Sequence, residues 1–136
     1  VLLDMADTDI FYLHTMVATT RQYIKNNRDK VLRFLRGYVE GIAFVKNNKK
    51  ESLDIVKKKL RLGPEQERNL ERSLDLLIAK YYENIPYPSI RGVETVLGFI
   101  EKDNPKAKTA DPKSFVDDSL LREIEQSGFV KALYAK

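Results

Sequence analysis

A chain of 136 residues, 43% hydrophobic and 32% charged, carries enough apolar material for one core and has the balance of a folded helical protein, not of a disordered one. It has no cysteine, which excludes disulfides, thiolate nucleophiles and zinc–thiolate sites, and no apolar run approaches the roughly eighteen residues of a membrane-spanning helix. The net charge of +4 comes from 24 Lys and Arg scattered among 20 Asp and Glu, so charge alone does not mark a nucleic-acid surface.

Val1-Leu2-Leu3 opens on an apolar run that reads as a short strand, and Asp4, Asp7, Thr8 and Asp9 favour the turn after it. No basic patch precedes that run, so a secretory signal is not expected within these residues. Tyr12 to Thr19 is short and dense in β-branched and aromatic residues, and a second strand is expected there. Thr20 is placed to cap a brief helix, RQYIKN, which ends at Asn26-Asn27.

The dominant helix is expected from Asn27 to Asn48, with Asn27 as its N-cap and Asp29 where the helix dipole favours negative charge. Val31, Leu35, Tyr38, Ile42 and Val45 recur at steps of three and four, with Phe34, Val39 and Phe44 thickening the stripe. Burying each of those five contributes about 1.5–3 kcal/mol, against roughly 0–1 kcal/mol for a surface ion pair, so packing governs this helix. Gly37 and Gly41 lie one turn apart, and each costs about 1 kcal/mol against Ala, which predicts that another backbone crosses close by.

Asn48 followed by Glu51 resembles a capping box for KKESLDIVKKKL, a helix with Leu53, Val56 and Leu60 inward and Lys57, Lys58 and Lys59 mostly outward. Gly63 supplies the expected left-handed stop and Pro64 the start of the next helix, which runs to about Tyr82. Its inward residues, Leu70, Leu74, Leu77, Ile78 and Tyr81, make it the expected partner of the dominant helix. Ile85-Pro86-Tyr87-Pro88 is a stiff connector, because each proline lacks a donor and biases its predecessor to extended backbone. Ser89 then caps IRGVETVLGFIEKD, whose inward stripe is Ile90, Val93, Val96, Leu97 and Ile100 and which ends at Asn104-Pro105. Lys106 to Lys113 is expected to be an exposed loop. Asp117 or Asp118 caps SLLREIEQS, Gly128 supplies a left-handed stop, and Phe129 to Tyr134 form a last apolar turn.

Chemistry-bearing patterns are sparse. His14, the single histidine, has no acid partner or nucleophile at defined spacing, and Asp7 and Asp9 lack the further carboxylates and glycine of a calcium loop. Tyr38 and Tyr81 fall on helix stripes, whereas Tyr87, between two prolines, is the tyrosine expected to be most exposed. Lys49, Lys50 and the run Lys57 to Lys59 read as a solvated helix face. Phosphate-binding glycine loops, nucleophile elbows and HExxH are missing, so the expectation is a non-enzyme with no cofactor, no metal site and no nucleic-acid partner.

The opening VLLDMAD, the stretch HTMVATTRQYIKNNRDKVLRFLRGYVEGIAFVKNNKKESL, the segment YPSIRGVETVLGFI and above all the ending DPKSFVDDSLLREIEQSGFVKALY have a fairly specific order and spacing. Together they resemble the C-terminal portion of the solute-binding proteins of bacterial ABC importers, of the nitrate/sulfonate/taurine type related to thiamine-precursor binding proteins. The resemblance implies a type II periplasmic binding protein fold, two α/β lobes around a cleft, of which this chain is a fragment, mainly α with one or two short N-terminal strands. Residues 1–20 then lie near the crossover between lobes and residues 21–136 form the helical C-terminal portion of one lobe. It further implies capture of a small solute such as a sulfonate, nitrate or pyrimidine, delivery to an ABC permease, and a periplasmic or membrane-associated extracellular location. Asp9, Tyr12 and His14 become the candidate solute contacts, and apolar surface meant for a missing sheet predicts self-association of the fragment. Two alternatives stand beside this: a free-standing helical module that binds an acidic partner through Lys49 to Lys59, and a fragment of a thiamine-pyrimidine synthase. The synthases depend on a cysteine-rich motif that this chain lacks.

Overall fold

The computed structural model describes Phe11, Leu13 and residues 16–135. The chain is mainly helical, and among the described residues there is no strand. The expected first strand lies outside the described residues. Of the expected second strand, Tyr12 to Thr19, the described residues 13 and 16–19 belong to no regular element. High β-propensity at Val17 and Thr19 is not enough, because a strand needs a neighbouring backbone to take its N–H and C=O groups and none of the described residues supplies one.

Helix α1 spans Arg21–Asn26, and the Thr20 hydroxyl caps it by accepting from the Tyr23 N–H at 3.1 Å. Helix α2 comes next, over Arg28–Asn47. Asn27 stands at its N-cap position without capping it, since the side-chain amide instead donates back to the Tyr23 carbonyl at 3.3 Å. The buried face of α2 is Val39, Ile42 and Ala43, with Leu32 and Leu35 half-buried beside them. The sequence stripe is therefore turned: Phe34, Tyr38 and Phe44 stand on the solvent side, Phe34 with 57% of its surface exposed. Among the described residues no backbone crosses at Gly37 or Gly41, because a Cβ placed on either would meet nothing of them within 4 Å.

Helices α6 (Ser119–Gln126) and α7 (Phe129–Leu133) complete the core against α2. Val39, Ile85, Leu121, Ile124 and Val130 form one buried cluster, and Val39 and Ile124 are fully inaccessible. Asp118 stands at the N-cap of α6 without a side-chain cap bond, and the Asp117 carboxylate before it accepts from the N–H and hydroxyl of Ser119 at 3.1 and 2.6 Å. Gly128 takes the left-handed conformation, φ 76°, that separates α6 from α7 and lets both face α2.

Helices α3 (Lys49–Leu60) and α4 (Pro64–Leu76) pack on each other, while the principal neighbours of α2 are α1, α3, α6 and α7. The expected pairing of the 64–82 helix with α2 is thus replaced by a hairpin with α3. The left-handed residue at the hairpin turn is Arg61, φ 53°, not Gly63. Pro64 holds the residue before it in extended backbone, so Gly63 is committed to capping α4 and the left-handed step falls earlier. Residues 77–81 widen into a π turn closed by the Tyr82 N–H on the Leu77 carbonyl at 2.8 Å. The wider turn shifts the angular phase of its residues, so Leu74 is buried while Leu77 and Tyr81 are exposed.

Helix α5 spans Ile90–Ile100, capped by the Ser89 hydroxyl, which accepts from the Gly92 N–H at 3.1 Å. The expected loop from Lys106 to Lys113 is partly built into two short 3₁₀ turns, Pro105–Thr109 and Pro112–Phe115, that pack on α5 and bury Ala107. Asn104 and Asp111 cap these turns through their side chains, which turns a polar stretch into ordered cover.

Candidate functional site

The candidate solute contacts Asp9, Tyr12 and His14 lie outside the described residues. Two residues interleaved with them are described. Leu13 lies against the backbone of Gly92, and the Arg91 guanidinium stands 5.8 Å from the ring centre of Phe11. Both contacts are with the first turn of α5.

Among the described residues no three His, Asp or Glu side chains come together to hold a metal ion. Two shallow depressions sit at helix corners: one of about 420 Å³ at the α1–α2 turn, lined by Lys25, Arg28, Lys30 and Arg33 among others, and one of about 350 Å³ at the α2–α3 turn, lined by Asn47 to Glu51 and Asp54. In the first, Arg28 is drawn away to pair with Glu123 of α6, which holds its guanidinium above the usual arginine range. No helix of the described chain is long and apolar enough to cross a membrane.

The lysine-rich face is partly neutralised from within. Lys49 Nζ lies 2.6 Å from Asp75 Oδ1 and 3.6 Å from Glu71 Oε1, and Lys57 Nζ lies 3.1 Å from Glu67 Oε2. Its hydrogen bond to Asp75 raises Lys49 above the usual lysine range. These cross-hairpin pairs fit a solvated helix face.

Tyr87 is not the free aromatic that its flanking prolines suggest. It is half-buried, its hydroxyl donates to Glu125 Oε2 at 2.6 Å, and the Arg122 guanidinium lies 5.4 Å from its ring centre. Arg122 is itself held by Asp118 Oδ2, at 2.9 Å from Nε and 2.7 Å from Nη2. The hydrogen bond to Glu125 pushes the Tyr87 phenol above its ordinary range, and the bond from Arg122 holds the Asp118 carboxyl below its own. Sequence reasoning missed this set because its members stand on two elements far apart in the chain. Only the Asp118–Arg122 spacing of four hinted at it.

What the structure offers instead of a pocket is apolar surface. The uncovered residues gather on particular faces. On α2, Phe34, Tyr38 and Phe44 flank the bare backbone of Gly37 and Gly41, opposite the packed face. Around α5, Phe99, Ile100 and Phe115 are open, Phe99 at 61% and Phe115 at 62%. On the α3–α4 hairpin, Ile55, Leu60, Leu76 and Tyr81 are also open. Exposed apolar side chains become a docking surface where they gather into a patch that another surface can cover.

The fold and surface together define a class, a helical body with a packed hub and open apolar flanks. No protein-family model, curated protein or solved structure matches the chain.

Proposed function

We propose that this chain is the helical C-terminal portion of the solute-binding component of a bacterial ABC importer, a type II periplasmic binding protein of the nitrate/sulfonate/taurine kind. In the complete protein these helices clothe one α/β lobe, and a small anion or organic solute, such as a sulfonate, nitrate or a pyrimidine, is trapped between two lobes. Binding shifts the lobes to a closed state that the permease recognises. Asp9, Tyr12 and His14 are the solute contacts that this chain contributes, in a periplasmic or extracellular membrane-associated protein.

The observation that carries the reading is the apolar face of α2, with Phe34, Tyr38 and Phe44 uncovered while Val39 on the other side is sealed. A helix that is apolar on two sides fits between a helical layer and a sheet. The resemblance in the ending DPKSFVDDSLLREIEQSGFVKALY adds support, because those residues build the Asp111-capped turn on α5 and the α6–Gly128–α7 unit that packs on α2. The test is small-angle scattering and calorimetry on the protein of the complete gene, titrated with 2-aminoethanesulfonate, nitrate and a 4-aminopyrimidine. Micromolar binding of one of these with a contraction of the particle is expected, and no micromolar binding by the 136-residue chain alone. Micromolar binding by the isolated chain, or no contraction with any solute, contradicts the reading.

A further inference from the structure

Five of the chain's glycines have room for a side chain, and one does not. A Cβ built on Gly92 would fall 2.5 Å from Leu13 Cγ, 2.9 Å from Cδ2 and 3.1 Å from Cδ1, whereas Gly98, farther along the same helix, has nothing within 4 Å. The closest atom is the branch carbon of Leu13, and both of its methyls are also close, so relief requires the whole side chain to rotate about χ1 or the segment to shift, not a chain end to swing aside. Gly92 is buried, and its N–H is fixed by the Ser89 hydroxyl, so the notch has a rigid floor. Next to it the Arg91 guanidinium lies 5.8 Å from the Phe11 ring, a second contact to the same segment at alternate spacing.

We infer that Gly92 and Arg91 form a receiving notch on α5 for Leu13 and Phe11, and so fix where the segment that carries Tyr12 and His14 joins the helical body. As an anchor this stands independently of the solute reading; as a positioning role for solute contacts it rests on that reading, and the two are tested apart. Substituting Gly92 acts through Leu13, not on a ligand.

His14 is the only histidine, so its ring Cε1–H signal in the proton spectrum of the 136-residue chain reports on the segment without ambiguity. In Gly92→Ala that signal should move toward the unstructured position, and chymotrypsin cleavage after Phe11 should accelerate roughly tenfold. Gly98→Ala should change neither, with circular dichroism confirming that all variants stay helical. Leu13→Ala should release the segment by itself, and adding Gly92→Ala should then have no further effect, because the two act on one contact. An unmoved His14 signal in Gly92→Ala, or additive effects in the double variant, overturns the anchor. In the complete protein, Gly92→Ala should weaken the binding of 2-aminoethanesulfonate, nitrate or the 4-aminopyrimidine, whichever the parent binds, by roughly tenfold. A released segment with unchanged affinity overturns the positioning role only. A parent that binds none of the three solutes refutes the solute reading and leaves the anchor to the spectroscopic result.

Discussion

Both sides of α2 carry large apolar side chains, and those side chains meet opposite fates. Val39, Ile42 and Ala43 are buried, Val39 in one cluster with Ile85 and residues of α6 and α7, while Phe34, Tyr38 and Phe44 face solvent across Gly37 and Gly41. Apolar periodicity shows that a helix has a face to bury; it does not show which of two apolar faces the rest of the chain will reach. Here the reach is set by Gly128, whose left-handed turn folds α7 back so that Val130 joins Ile124 on one side only.

The contrast can be broken most sharply by truncation. Ile124→Ala should lower the unfolding free energy in urea by about 2–5 kcal/mol, whereas Phe34→Ala should stay within about 0.5 kcal/mol. Equal losses would mean that Phe34 is packed in solution. Next in size, Gly92→Ala should cost about 1–3 kcal/mol by overpacking against Leu13, while Gly98→Ala, Gly37→Ala and Gly41→Ala should each gain about 0.5–1 kcal/mol in thermal melts. A loss at Gly37 would show that a backbone does cross there.

Smaller still, Thr20→Ala and Ser89→Ala should each cost about 1 kcal/mol, because their hydroxyls accept from the first turns of α1 and α5. Asn27→Ala should cost less, since its amide bonds backward at 3.3 Å to the last turn of α1 and gives α2 no N-cap. The smallest effect is one of pH. The Tyr87 phenol is raised by its bond to Glu125, so the folded state holds that proton more tightly than the unfolded chain does. Its contribution is complete below the ordinary tyrosine range and is lost as pH rises through the folded-state value; Tyr87→Phe should flatten that alkaline slope in pH-dependent melts.

Much of the local structure was legible because it depends on neighbours in sequence. Thr20, Ser89 and Gly128 do what their residue types imply, and the connector at Ile85 to Pro88 is non-helical as its prolines require. The features that were not legible depend on particular local competition or on contacts across the chain. Asn27 and Asn48 each spend their amide on a preceding carbonyl, Pro64 moved the left-handed step to Arg61, and the π turn at 77–81 broke the stripe of its helix. For the site, Leu13 and Gly92 are nearly eighty residues apart in sequence, and a lone glycine early in a helix carries no sign of what it receives.

The most direct test of the open-face account is static light scattering of the 136-residue chain over a range of concentrations, beside the variant Phe34→Ser/Tyr38→Ser. The parent should show a mass that climbs with concentration as uncovered apolar faces meet, and the variant a mass that stays at one chain. A parent that remains a single chain at high concentration would contradict it.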